Sequence, residues 1–301
     1  MADPESDDAF DLPSSFELSA GDLTARVLAR GAELTSLRKA GTPYLYEGDA
    51  PEFWAKSAPI LFPTVGRSVG DAWCVEGKTY PMPRHGFARD LDWEPVSGSD
   101  TFVELQLSDS KATRKHYPFE FELTATYSLT PEELVASYRL ENFEDRAIPF
   151  SFGLHPAFRW PLDPATERNA WRVTFPREMR AERVLLEDGL RGKKRAPALK
   201  GTDALPLGDG WFKDDAVVLR NPEVESLVLE SDASPRKVRL SFTPCTWLGI
   251  WSKPGAPFIC LEPWRGVASK TNDVPDVEAK DAIEWLKPGE TFDYELRIRP
   301  E

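Results

Sequence analysis

Between Tyr117 and Leu129 the side chains alternate: Phe119, Phe121, Leu123, Ala125, Tyr127 and Leu129 are interleaved with Glu120, Glu122, Thr124, Thr126 and Ser128. A period of two belongs to a strand with one buried and one wet face; a helix would scatter the same residues round its circumference. Thr130-Pro-Glu-Glu interrupts the pattern, and Leu134, Ala136, Tyr138 and Leu140 resume it, so the spacing predicts an antiparallel hairpin. The same alternation recurs at Val103, Leu105 and Leu107, at Val238, Leu240 and Phe242, and at Phe292, Tyr294, Leu296 and Ile298. The last run follows Lys287-Pro-Gly-Glu, where Pro second and Gly third suit a type II turn. The best helical candidate is Val277 to Leu286. One-faced strands must cover each other, so the expected fold class is all-β, a large antiparallel β-sandwich. Strands do not alternate with helices and no glycine-rich phosphate loop occurs, which argues against a doubly wound nucleotide-binding fold.

With 301 residues the chain can bury a large core. Residues 1 to 14 combine acidic residues, serine and two prolines with little to bury, and are expected to form a mobile acidic tail. From residue 15 to 301 there is no internal repeat and no linker rich in Gly and Ser, so a single domain is expected. Arg180 to Gly210 is polar and weakly patterned, and is expected to form long loops on the sandwich. No apolar run approaches the ~20 residues of a membrane helix. The acidic start is unlike an export signal, and the expected location is the cytoplasm. Cys74, Cys245 and Cys260 are odd in number and form no C-x-x-C pair, which suits free thiols. A formal charge of −13 repels nucleic acid and anionic lipid, so a small neutral ligand is the better partner. Oligomeric state is not legible.

Chemistry concentrates in three segments. Phe150-Ser-Phe-Gly-Leu-His-Pro-Ala-Phe158 places His155 in an apolar setting, where an imidazole needs a partner. Arg84-His-Gly-Phe-Ala-Arg89 lies upstream, and Cys260-Leu-Glu-Pro-Trp264 downstream. Glu262 sits where a buried strand is expected to end at a concave rim, so its charge needs a purpose or a partner. Two readings stand for each group. His155 is a core histidine tied to a carbonyl or a proton carrier; Glu262 is ion-paired with Arg67 or Arg265, or it is a base. Two imidazoles and a carboxylate in one pocket would be proton-transfer equipment. His85, His116 and His155 lack the short spacing that commonly puts two metal ligands on one strand or helix face, so no metal is expected. His116, in a charged stretch, is expected to be solvated. There is no G-x-S-x-G elbow to support a serine hydrolase.

Taken in order with Pro59-Ile-Leu-Phe-Pro-Thr-Val-Gly-Arg67, these segments resemble the aldose 1-epimerase (galactose mutarotase-like) family, in the bacterial branch carrying His-Gly-Phe-Ala-Arg. The likeness runs from about Gly31 to the final strand. It implies a galactose mutarotase-like supersandwich and a cofactor-independent isomerase acting on a sugar. Glu262 would be the general base at the anomeric hydroxyl and His155 the acid at the ring oxygen. His85 and Arg67 would hold the oxygens on which charge develops. Asp215, with Asp214 as the competing neighbour, would bind sugar hydroxyls, and Trp264 would offer an apolar face. Two departures bear on specificity. Ser269 stands where many relatives have Asp, and Phe87 puts a ring beside His85 that is expected to reshape the pocket.

Three other functions fit less of the sequence. A hexose 6-phosphate substrate would use Arg84, Arg89 and Lys56 as an anion subsite. A carbohydrate-binding protein would keep the pocket without turnover. A glycoside hydrolase would need paired carboxylates, and only Glu262 and the less certain Asp215 are available. The sugar itself is not legible.

Overall fold

The structure, a computed structural model, describes residues 13–301. The expected acidic tail, apart from Pro13 and Ser14, lies outside the described residues. A 15-stranded sheet holds most of the chain, and a four-stranded sheet from Ser15–Ala20 to Thr42–Pro43 packs beside it. The predicted hairpin is Phe121–Leu129 against Leu134–Asn142, in register from Phe121 opposite Asn142 to Leu129 opposite Leu134. Along the first of these strands buried and half-exposed residues alternate at every position. The strand starts four residues later than the alternation suggests, after a short 3-10 turn at Thr113–Lys115. Pro118 has no N–H to give a ladder, while Tyr117 is buried and bonds the Pro149 carbonyl through its hydroxyl at 3.0 Å.

The sheet is long enough to fold back on itself. In strand order Phe152–Leu154 lies near one end, far from Leu134–Asn142 and Thr291–Pro300. Yet the Phe152 ring sits 5.2 Å from Tyr138 and 5.4 Å from Tyr294. The two halves therefore face each other as a sandwich, and one continuous apolar cluster between them runs from Leu18 to Ile298 in sequence. The small sheet closes a further side, tied down by the buried Tyr127 hydroxyl on Ala32 O at 2.7 Å. The Lys287–Glu290 turn closes with Glu290 N–H on Lys287 O at 3.0 Å and Gly289 at φ 69°.

Two expectations are corrected. Arg180–Gly210 is not loop: Trp171–Glu187 and Leu190–Pro206 form a 17-residue antiparallel ribbon. Exposed residues fall in runs, at 176–178 and 193–195, so it carries no clear alternation, and four register shifts break what pattern remains. The signal it does carry is Asp188-Gly189, both at positive φ, the favoured two-residue turn of a hairpin. Val277–Leu286 forms no helix. Turns occupy its first half, Ala282 takes φ 60°, and Glu284–Leu286 is a short strand paired with Ile148–Phe150. Among the described residues no helix is long and apolar enough to cross a membrane.

Candidate active site

Glu262 stands on Phe258–Arg265, a strand buried along its length except at Arg265. It pairs with Trp247–Trp251 on one side and with Phe152–Leu154 and Ala157–Arg159 on the other. Such a central position explains the unbroken apolar run on either side of the carboxylate. Gly249 lies directly across from Glu262, and Gly153 across from Trp264. A Cβ at either glycine would collide with the Trp264 indole, so the two absent side chains make room for that ring.

His155 follows the Phe152–Leu154 strand and brings Nε2 to 3.1 Å from Glu262 Oε2. Both residues are buried, at 8% and 1% exposure. The approach does not complete a hydrogen bond: Glu262 Oε2 and His155 Nδ1 are each buried without a partner, as is the Trp264 indole nitrogen. Among the described residues no arginine is paired with Glu262. Arg265 is bound to Glu284 at 2.6 Å, and Arg67 to Asp71 and Asp188. Burial pushes the Glu262 carboxyl well above its ordinary range, and Asp215 adds to this. Burial likewise drives His155 down to about 3, with Arg89 and Arg84 acting in the same direction. Both groups are therefore held toward their neutral forms.

His85 is fixed by an exchange with Gly66: its N–H donates to Gly66 O at 2.9 Å, and Gly66 N–H donates to His85 Nδ1 at 3.1 Å. With Nδ1 accepting, the neutral ring carries its proton on Nε2, a donor for a ligand oxygen. Burial, then His155, keep the ring neutral by lowering its pKa well below the ordinary value. The turn that presents it is tight. His85 has φ 68°, and a Cβ on Gly86 would overlap the Phe62 carbonyl. The His85 ring meets His155 edge-on at 5.8 Å.

These groups open onto one cavity of about 480 Å³, also lined by Arg84, Arg89, Asp215, Trp264, Trp54 and Trp251. Of the expected residues, His85, His155, Glu262, Arg89, Asp215 and Trp264 thus meet in one place. Asp214 is not on the lining. Asp215, at φ 79°, accepts from Ala216 N–H at 2.8 Å and lies 3.5 Å from Arg84 Nη2. Arg67 is not on the lining either: its guanidinium clasps both Asp71 oxygens at 2.8 Å and holds Asp188 at the ribbon tip. Lys56 sits behind, 3.5 Å from Glu33 and from Asp90. Phe87 faces away from the cavity into the core against Phe62, Tyr117 and Phe121, so it leaves the pocket's shape alone. His116 is half-buried, with Nδ1 2.6 Å from Pro81 O.

Trp54 was not legible as a site residue. Its ring packs on His155 at 4.8 Å and meets Trp251 edge-on at 5.7 Å, walling the imidazole from bulk water. The available signal was an aromatic pair, Phe53-Trp54, in a loop bounded by Pro51. His155, Cys260 and Glu262 bring one potential ligand atom each within 4.8 Å of one another. Cys260 also belongs to the apolar cluster of Tyr46, Ala157 and Phe258 behind the cavity, where burial raises its thiol pKa well above the ordinary value.

The structure is an all-β sandwich in which a buried carboxylate and imidazole line an open, aromatic-walled pocket. The chain belongs to the aldose 1-epimerase family, whose profile matches residues 14–299. It is similar to a galactose mutarotase-like protein from Lactobacillus casei, with 30% identity, coverage of 95% of this chain and 100% of that one, and a TM-score of 0.88. A galactose mutarotase related enzyme from Lactobacillus acidophilus gives 28% identity, 95% and 97% coverage, and a TM-score of 0.89. Protein LacX of Lactococcus lactis is 28% identical over 298 residues, 94% of this chain and 99% of the relative.

Proposed function

We propose that this protein is an aldose 1-epimerase that interconverts the α and β anomers of a free hexose through acid–base ring opening. The observation that carries this reading is the pair Glu262 and His155, with Oε2 and Nε2 3.1 Å apart at an open cavity and with Glu262 Oε2 and His155 Nδ1 each buried without a hydrogen-bond partner. A buried polar atom without a partner is costly, so a site that keeps two of them is built for a ligand that supplies the missing contacts. The working tautomer is Glu262 carboxylate with His155 imidazolium, reached by moving the Glu262 proton to His155 Nε2 at no change in net charge.

Glu262 then takes the proton from the anomeric hydroxyl, the C1–O1 bond becomes a carbonyl, and the bond from C1 to the ring oxygen breaks. His155 delivers its proton to that ring oxygen. Rotation about C1–C2 exposes the other carbonyl face, and the same steps reversed close the ring as the other anomer. His85 Nε2–H steadies whichever sugar oxygen gains charge, and a preorganised donor in a low-dielectric pocket is effective there. Asp215 accepts from sugar hydroxyls, and Trp264 and Trp54 cover apolar C–H faces. Every step is a proton transfer or ring cleavage, so the scheme uses no cofactor.

The test is anomer exchange followed by NMR on a panel of aldoses, for wild type and Glu262→Gln. The variant is expected to lose about 10²–10⁴-fold in rate, the usual worth of a positioned general base. Equal rates on every aldose would refute the assignment. Sugar binding by calorimetry without any wild-type exchange would instead identify a binding protein.

One observation favours a second reading with an anionic sugar, such as a hexose 6-phosphate. Arg84, Arg89 and Lys253 all line the cavity, and Arg89 Nε is buried with no hydrogen bond, its nearest counter-charge being Asp90 at 3.6 Å. In that case Arg89→Ala weakens phosphorylated ligands selectively; equal weakening of neutral and phosphorylated sugars would remove it.

A further inference from the structure

After the Phe258–Arg265 strand the chain runs irregularly through Val267 and Ala268, which form one wall of the cavity. Two buried cations from distant parts of the sequence end on consecutive carbonyls of this wall. Lys280 Nζ donates to Val267 O at 2.7 Å, and Arg191 Nε donates to Ala268 O at 2.6 Å. Arg191 also ties the wall through its backbone, its N–H on Ser269 O at 2.8 Å and its own carbonyl accepting from Thr271 N–H at 3.1 Å. The two side chains are only 2% and 5% exposed. Their counter-charge is thin. Asp281 Oδ2 lies 3.1 Å from both Arg191 terminal nitrogens and 3.0 Å from Lys270, and Arg191 otherwise lies over the Trp247 ring at 5.1 Å.

Two like charges buried side by side are unfavourable for stability, and apolar side chains of similar volume would serve a core better. Burial and then Arg191 push the Lys280 ammonium down to about 7, which registers that cost. The compensating gain lies in the wall. In a trans peptide the N–H of one residue points opposite to the carbonyl of the residue before it. Drawing Val267 O back onto Lys280 therefore turns Ala268 N–H the other way, to the Gly66 side, where its nitrogen packs beside the residue that fixes His85. Among the described residues Ala268 N–H has no acceptor, whereas the next amide, Ser269 N–H, is used by Arg67 O at 2.9 Å.

We propose that Lys280 and Arg191 are positioning residues that hold the Val267–Ala268 wall and aim the Ala268 amide at an oxygen of the bound sugar. The claim rests on the epimerase reading for the identity of that sugar, and on the wall geometry alone for the positioning. The experiment compares wild type with Lys280→Met, which keeps the stem and loses the donor, with Lys111→Met at an exposed position as a surface control. Expected for Lys280→Met is a rise of about tenfold in KM and in the sugar Kd, the equivalent of one hydrogen bond, with kcat changed by less than threefold. Backbone NMR should show the amides of Val267 and Ala268 displaced in the variant without sugar. A lower Tm with unchanged KM, Kd and amide positions would overturn the proposal, leaving Lys280 a merely structural group. If wild type neither binds nor epimerises any aldose, the epimerase reading fails, and the amide positions in the sugar-free protein still decide the positioning claim. Should Lys280→Met not fold, Arg191→Lys keeps the buried charge, loses the guanidinium fork, and carries the same expectations.

Discussion

Replacing Glu262 with Gln should make this protein more stable and less active at once. The carboxyl side chain is 2% exposed, one of its oxygens has no partner, and burial holds its pKa well above the ordinary value. Above pH 4.5 the unfolded chain releases this proton while the native state retains it, so native stability falls as pH rises from there toward the folded pKa. Glutamine has the same shape and no charge to desolvate, and its amide can donate to His155 Nε2. Relief of one buried unsatisfied oxygen is worth about 1–3 kcal/mol. For a chain of this size each kcal/mol moves Tm by roughly 2–4 °C, so the variant should melt on the order of 5 °C higher at neutral pH. The gap should widen from pH 5 to pH 8, because only the wild type carries the linkage. Calorimetric Tm measured across that range, beside anomer exchange on the same samples, gives both halves. A variant that melts at or below the wild-type temperature at every pH would refute the buried, unpaired description of Glu262.

Other outcomes follow from the same geometry. The protonation of His155 sets the acid limb of the pH profile: His155 at about 3 places that limb of kcat/KM far below the ordinary imidazole range; an acid limb near 6.5 would contradict it. Trp54→Ala should admit water to His155 and move that limb upward, read by the same profile or by imidazole NMR. Gly86→Ala forces a Cβ into the Phe62 carbonyl at φ 74° and should cost at least about 1–3 kcal/mol from backbone strain, measured by urea unfolding.

The strands were legible wherever one face meets the core and the other meets water, as from Phe121 to Leu129 and from Phe292 to Ile298, because burial itself imposes the period of two. The ribbon Trp171–Pro206 was not, since Arg180 and Glu182 on one strand and Arg195, Pro197 and Lys200 on the other are exposed residues ordered by backbone pairing and not by a buried face. Glu262 stood out as a charge within an apolar strand. The fate of Arg67 did not, because one of its two partners, Asp188, is 121 residues away and reaches it only through the ribbon that the sequence conceals. Lys280 fell inside the stretch read as a helix, where a lysine attracts no notice; only the carbonyl it meets shows its place.

The central claim is that Glu262 and His155 address the two oxygens on C1 of one sugar ring. A crystal structure of the protein with a bound aldose measures this directly. The account predicts the anomeric oxygen about 2.6–3.2 Å from the Glu262 carboxylate and the ring oxygen at a similar distance from His155 Nε2. A sugar lying in the cavity with C1 turned away from Glu262, or bound elsewhere on the sandwich, would contradict it.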